Sequence, residues 1–515
     1  MTAVSCHDAS VLPRHDDTAL AAPPAQATAS TVVASSGATA SATAVGAPRG
    51  PATGSMPSGR AEPKSLGARA LRAAGWLVGG QLVSQALRPG SNLILTRLLL
   101  PEDFGLMAAV GTMYFALVMF SDLGVWQSVV KSPRGLDETF LGTAWTVQLA
   151  RALLLALAVL AGAGALHVAA AAGAFAPGTV FADPRLPVLL AAIAPCALLQ
   201  GAESMKLALA QRELLGGRLA RLELVSQLVA AALTIALALA TRSVWALMAG
   251  YLAAAAVRSA LSHLLLPGPR VRPAWERERA REIVGFGAWI LLSSVIGFLA
   301  AHGEKLLLGA TLPATSFGVF SIAAMLVAAL AGVVGSVNGH VVFAGLSQAL
   351  RGSPQGLARA YARAQLAADL VLGVSAGLLL TAGPWAVWLL YDARFHAAGA
   401  MLPWLGLGLL AMRQQVAEQV MFAKGLPAWV SAANALRAAA LVVAVPAGFA
   451  AGGEPGAIAG VVVAQFAGWP LSWWFRHRQR LLDWRTEAAW VPALALGAAL
   501  GWVLDRGLRA LFGAA

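Results

Sequence analysis

The sequence predicts an all-α, polytopic membrane protein made of two similar lobes. Three observations carry that reading: composition, the alternation of charge between apolar segments, and an internal repeat. Of 515 residues, 58% are hydrophobic and 12% charged, where a typical soluble domain carries about 25% charged residues. Mean hydropathy is +0.70. The formal net charge of +13 would suit a nucleic-acid partner, but the basic residues sit in short clusters between apolar segments, as topology signals do. The expected surroundings are therefore membrane lipids, with no nucleic acid. Cys6 and Cys196 lie far apart, outside any CxxC or Cys/His setting, which indicates neither a disulfide framework nor a zinc site.

Residues 1–66 form the first segment. Their Ala/Ser/Thr/Pro/Gly-rich stretch "AQATASTVVASSGATASATAVGAP" has little with which to build a core and is expected to be a disordered cytoplasmic tail. Beyond it, a spanning helix needs roughly 20 apolar residues. Thirteen segments answer: 70–98, 104–130, 140–166, 186–209, 219–240, 244–266, 284–311, 315–343, 359–388, 398–423, 428–450, 455–476 and 487–507. Every second connection is basic, from Arg60 and Lys64 through Arg270–Arg281 to Arg476–Arg485, about 22 basic residues against 5 on the other side. That asymmetry places the N-terminus and the basic loops in the cytoplasm. An odd number of spans puts the C-terminus outside.

The chain also repeats itself. "LILTRLLLPEDFGLMAA" around Arg97 and "KLLLGATLPATSFGVFSIAA" around Gly309 both give an apolar stretch, Leu and Pro shortly before Phe-Gly, and small residues opening the next helix. Phe104-Gly105 matches Phe317-Gly318 at a spacing of about 213 residues, or six helices. An even number of helices per repeat leaves both halves in the same orientation, related by an axis along the membrane normal. The expected units are an N-terminal lobe (67–266), a basic cytoplasmic linker (267–283), a C-terminal lobe (284–477), and a basic loop with a thirteenth helix (478–515).

Six phrases in order, "LLLPEDFGLMA", "DLGVWQSVV", "LLGGRLARLELVSQLVAAALTIALA", "WALMAGYLAAAAVR", "EKLLLGATLPATSFGVFSIA" and "LLYDARFHAAGAMLPWLGLG", resemble the Wzx-type polysaccharide exporters of the multidrug/oligosaccharidyl-lipid/polysaccharide flippase superfamily. The resemblance covers about residues 66 to 477. It implies two six-helix lobes around a central cavity, and alternating access. It also implies transfer of an undecaprenyl-pyrophosphate-linked oligosaccharide between leaflets, with polysaccharide polymerase and export machinery as further partners. The chain departs from that pattern in its long tail, in its thirteenth helix, and in "VVFAGLSQ" at 341–348, where relatives often place a proline before the Ser.

Ionisable residues inside the spans point to the cavity, because each costs at least ~2.5–3.5 kcal/mol near a helix centre and so faces a bundle interior or water. The deep bases are Arg88, Arg151, Arg258, Lys305, Arg413 and Arg437, expected to form a cationic lumen. The deep acids are Asp122, Glu304, Asp369 and Glu418, expected as ion-coupling groups for H+ or Na+. Each has a plainer reading. Arg258 and Lys206 lie within snorkelling reach of an interface, Asp122 within reach of a neighbouring partner, and Glu203 and Lys206 at the spacing of a local ion pair. In "FLAAHGEKLLLGATLP", His302 and Lys305 share one face while Glu304 points elsewhere. A structural ion pair competes there with a role for Lys305 in attracting phosphate and for Glu304 in exchanging a proton. The bases outnumber the acids, which favours an anionic substrate such as a pyrophosphate over a drug cation; a multidrug exporter is the alternative.

No Walker A, Rossmann fingerprint or metal-ligand cluster is present, and no cofactor is expected. "GVSAG" at 373–377 satisfies G-x-S-x-G but lies within an apolar helix, so it reads as helix packing through small residues rather than as a nucleophile elbow. The longest outer loop, roughly 167–185, is too short and alanine-rich for a glycan polymerase. The chain is expected not to be an enzyme.

Overall fold

A bilayer leaves backbone N–H and C=O groups no partner but their own chain, so apolar runs of this length fold as helices. The computed structural model describes residues 79, 80, 83, 84, 87, 89–213 and 215–513. The tail and Arg88 lie outside the described residues. Among the described residues the only β-pairing is a single bridge between Thr179 and Pro313.

The N-terminal lobe comprises α1 (89–98), α2 (Pro101–Phe120) with α3 (Val125–Lys131), α4 (Glu138–Ala171), the broken span α5 (Arg185–Ala192), α6 (Ala194–Gly201) and α7 (Lys206–Arg212), then α8 (Gly216–Thr241) and α9 (Trp245–Leu264). The C-terminal lobe comprises α10 (Arg277–Thr311), α11 (Ala314–Val337) running through a π-turn at Asn338–Val342 into α12 (Phe343–Arg351), and α13 (Pro354–Leu390). It continues with α14 (Ala397–Gly408) joined by a 3-10 turn to α15 (Gln415–Ala423), then α16 (Pro427–Gln465) and α17 (Trp469–Arg478). The short α18 (Trp484–Glu487) leads to the last helix, α19 (Trp490–Phe512). Among the described residues seven helices are long and apolar enough to cross a membrane, eight when α5–α7 count as one span bent by 59°. Each segment expected from the sequence coincides with helix, the first through its described end.

Two expected spans are broken, for visible reasons. Between α2 and α3 the chain turns at Gly124, whose φ of 63° is left-handed and therefore cheap only for glycine. Asp122 holds that turn by accepting the Gly124 N–H at 3.0 Å. Between α6 and α7 the freed carbonyls of Gly201 and Glu203 are taken by the Gln148 amide of α4 at 2.9 and 3.2 Å, which is how a helix break survives at membrane depth. The expected turn between 450 and 455 is real: α16 folds back at Gly452 and Gly453, the latter with φ 61°. The helix that lacks the proline of "VVFAGLSQ" runs on to Arg351.

The two Phe-Gly pairs of the repeat meet. A Cβ on Gly105 would lie 3.0 Å from the Gly318 nitrogen and overlap the Ala314 carbonyl, while a Cβ on Gly318 would lie 3.1 Å from the Gly105 nitrogen and overlap the Pro101 carbonyl. Such reciprocity arises where a two-fold axis passes between equivalent positions. It locks α2 of one lobe against α11 of the other through small residues, as membrane helices favour.

The largest apolar cluster spans both lobes on this side, joining Leu99, Phe104 and Phe181 to Phe317, Phe320, Phe395 and Val461. On the membrane face that carries the linker, the clusters separate. One, around Val125, Phe140 and Met205, takes in Ala280 and Ile283 from the start of α10; another, around Leu346, Tyr361, Val416 and Phe475, belongs to the C-terminal lobe. The lobes therefore share one cluster on the far face, whereas on the linker face they meet through the linker and the start of α10 and otherwise keep separate clusters.

The "GVSAG" stretch is a packing surface. Gly373 and Gly377 of α13 abut Ala493, Leu494 and Ala498 of α19, and Gly497 and Gly501 abut Val374 and Leu378 in return. Trp385 fixes the crossing by donating to Asp505 at 2.7 Å.

Candidate functional site

The cations expected to share one lumen are divided between the lobes, and most are held by protein acceptors. In the N-terminal lobe Arg258 donates to Glu203 at 2.9 Å and also pairs with Glu223. The expected Glu203–Lys206 pair is absent, because Lys206 turns to the His263 carbonyl at 3.1 Å. Arg151 donates to the Val118 carbonyl at 2.8 Å and the Ser121 hydroxyl at 3.2 Å; it closes the carbonyl end of α2, where backbone acceptors lack intrahelical partners. Asp122 is occupied by its turn.

In the C-terminal lobe Arg413 is 3% exposed and Asp369 0%, so each needs the other. They form a two-pronged pair at 2.7 and 2.9 Å, the geometry that suits a guanidinium fork. A third guanidinium nitrogen reaches Glu487 at 2.9 Å, and Arg476 meets the second Glu487 oxygen at 2.5 Å. Asp369 also accepts from Gln365, which accepts from Tyr361. Nearby, Arg437 pairs with Glu418 at 2.5 Å. Buried pairs of this kind are costly to break one side at a time. Sequence reasoning missed Glu223, Glu487 and Arg476. Glu487 opens the thirteenth expected span, 487–507, and its place beside the basic loop 476–485 was the available signal.

What these pairs leave is the seam between the lobes. Helix α10 packs against α2 through an aromatic group in which His302 meets Phe115 with ring centroids 5.2 Å apart and Phe298 at 5.6 Å. Its other side faces α16, where Glu304 meets the Gln465 amide. Lys305 lies one turn beyond His302 on the same face. Its ammonium has no hydrogen-bond or ion-pair partner among the described residues. Asn92 of α1 is its equivalent in the first repeat, and Asn92 crosses to Met325 of α11 at 2.6 Å. Among the described residues this region thus offers a cation without an ion-pair partner, amides and aromatic rings.

The far end of the seam is closed by two loops that serve equivalent roles. In the N-terminal lobe Phe181 lies against Gly309, and the Val180 N–H donates to the Leu312 carbonyl at 3.3 Å, at the end of α10. In the C-terminal lobe Arg394 donates to the Thr96 and Arg97 carbonyls at 2.9 and 3.3 Å, at the end of α1. Both loops carry Asp-x-Arg, with Asp183 and Asp392 each accepting from the arginine two residues on. Each lobe thereby grips the first helix of the other.

Comparison with solved structures finds this arrangement elsewhere. An inward-facing multidrug resistance MATE family transporter of the MOP superfamily aligns with TM-score 0.58 at 15% identity, over 77% of this chain and 94% of that one. An outward-facing structure of such a transporter gives 0.50 at 14% identity, over 81% and 99%. Lipid II flippase MurJ in an inward closed conformation gives 0.61 at 10% identity, over 86% and 99%. At these identities the likeness establishes a shared fold. No curated protein sequence matches. A family profile described as "Polysaccharide biosynthesis protein" matches residues 94–398, more than half of the chain, and the chain belongs to that family.

Proposed function

We propose that the protein carries an undecaprenyl-pyrophosphate-linked oligosaccharide across the bacterial inner membrane by alternating access, for surface polysaccharide assembly. The observation that carries the substrate class is Lys305 on α10, whose ammonium has no hydrogen-bond or ion-pair partner among the described residues and only the field of the adjacent Glu304 carboxyl, so that a pyrophosphate can supply a direct countercharge. Separate cores on the linker face and a joined core on the far face support an open side toward the basic loops, hence loading from the cytoplasm. Glu304 is the coupling candidate for a proton, since it sits on α10 beside Lys305 with an amide, not an arginine, as its neighbour. The arginines of the lobe-internal clusters act as positioning residues that keep each lobe rigid while the two rock.

The test is accumulation of lipid-linked repeat units in the inner leaflet of a deletion strain, with complementation by variants. Lys305→Ala should restore at most about a tenth of export at normal protein abundance, the loss of a charge-assisted contact, and Lys305→Arg should restore most of it. Full export by Lys305→Ala would remove the lysine from the substrate path. Normal surface polysaccharide with altered drug sensitivity in the deletion strain would favour the multidrug reading, to which the fold is also open.

A further inference from the structure

On the far face, beside the Arg394 contact, a groove of about 440 Å³ opens between the lobes, lined by Leu93, Ile94 and Arg97 of α1, Leu239 of α8, and Leu389 and Leu390 of α13. All but one of these side chains are aliphatic, and all lie in the last turns of their helices, at the level where hydrocarbon gives way to headgroups. Arg97 is exposed and has no hydrogen-bond or ion-pair partner among the described residues. The fold does not require it there, because the matching position of the second repeat is Ala310. Its backbone is fixed by Arg394, which grips the Thr96 and Arg97 carbonyls.

We propose that this groove holds one hydrocarbon chain of an anionic phospholipid, whose phosphate is bound by Arg97. An aliphatic channel ending in one uncompensated guanidinium has the complementary chemistry of a chain ending in a phosphate, and a guanidinium fork binds phosphate in two-pronged fashion. The volume falls in the range of roughly 300–1,000 Å³ that encloses a drug-sized ligand, enough for an acyl chain and too small for an entire polyprenyl chain. A lipid seated there touches both lobes, so it favours the conformer in which Arg394 holds the end of α1, and is released when that contact opens.

Native mass spectrometry of the full chain from detergent tests the assignment, with phosphatidylglycerol, phosphatidylcholine and undecaprenyl phosphate each added at equal amounts. Wild type should retain one phosphatidylglycerol after the weaker adducts are stripped, and phosphatidylcholine should be lost earlier. Arg97→Gln should lower that last occupancy about tenfold, Arg97→Lys should keep much of it, and Ile94→Trp, which fills the groove, should lower it with the arginine intact. Circular dichroism on the same samples confirms that the variants are folded. Unchanged phosphatidylglycerol occupancy in folded Arg97→Gln overturns the proposal. So does an Arg97-dependent adduct seen for undecaprenyl phosphate alone, which would hand the groove to the transported lipid.

Discussion

The two membrane faces of this protein are held by different forces. On the far face, Gly105 meets Gly318, aromatic rings from both lobes share one cluster, and the lobes exchange loop contacts. On the linker face the lobes keep separate cores, and the strong contacts are ionic and lie within a lobe or along the linker, from Arg413–Asp369–Glu487–Arg476 to Arg279–Asp137. Close-packed surfaces have two discrete states, docked or parted, whereas charged networks hold a shape rigidly and lose much when one member is removed. The far face is thus joined by packing along one seam, and the linker half of the C-terminal lobe by a charged network whose members depend on one another.

The ionic half should break hardest. Arg413→Met leaves Asp369 buried and uncompensated, at a cost of about 3–5 kcal/mol; folded protein recovered in detergent should fall steeply. Adding Asp369→Asn should restore much of the loss, and a thermal unfolding series over the three variants measures both. On the other face, Gly318→Val drives a branched side chain into the Pro101 carbonyl, an overpacking worth about 1–3 kcal/mol. It should part the lobes without unfolding either, so that Leu312→Cys, buried in wild type, reacts several-fold faster with an impermeant maleimide. No change in labelling would mean that the far face relaxes around the new methyl groups.

Smaller effects sharpen the contrast. Arg394→Gln removes the grip on α1 and should cost about 1 kcal/mol in the closed conformer, read as a modest rise in the same labelling rate. The least effect belongs to the linker. Asp137 accepts a hydrogen bond from Arg279 and caps α4 through the Thr139 N–H, and these contacts hold its carboxyl below the usual range, Arg279 first. A depressed carboxylate stabilises above its unfolded value and loses that contribution as pH falls through the folded one. Hydrogen exchange in segment 267–276 should therefore be unchanged between pH 7 and about 5 and quicken as pH drops below about 4, the ordinary Asp value. Asp137→Asn should exchange at neutral pH as fast as wild type does in acid.

Much of this fold was legible in the sequence, because a bilayer imposes one rule on every span. The helices appear as apolar runs, and the repeat at Phe104-Gly105 and Phe317-Gly318 marked the contact on the pseudo-axis. Broken spans were less legible: Gly124 is a local signal, but the break before α7 depends on Gln148, a residue from another helix. The ions were the least legible. Depth marked Arg413 for a cationic lumen and Asp369 for ion coupling, whereas their pairing with each other and with Glu487 is a tertiary fact, as is the choice of Arg258 for Glu203. Among the described deep bases, Lys305 keeps a side chain without a hydrogen-bond or ion-pair partner, as its depth suggested.

The Arg413 network also has a history in time. Its second carboxylate, Glu487, lies 74 residues downstream, so the ribosome has made the arginine long before it makes the partner. Through the insertion of α16 and α17 the nascent lobe carries Arg413 and Arg476 with Asp369 alone between them. Helix α19 then clamps α13 and brings the charge balance to rest. A chain ending short of Glu487 would hold Arg413 and Arg476 against the single carboxylate of Asp369, one buried cation in excess.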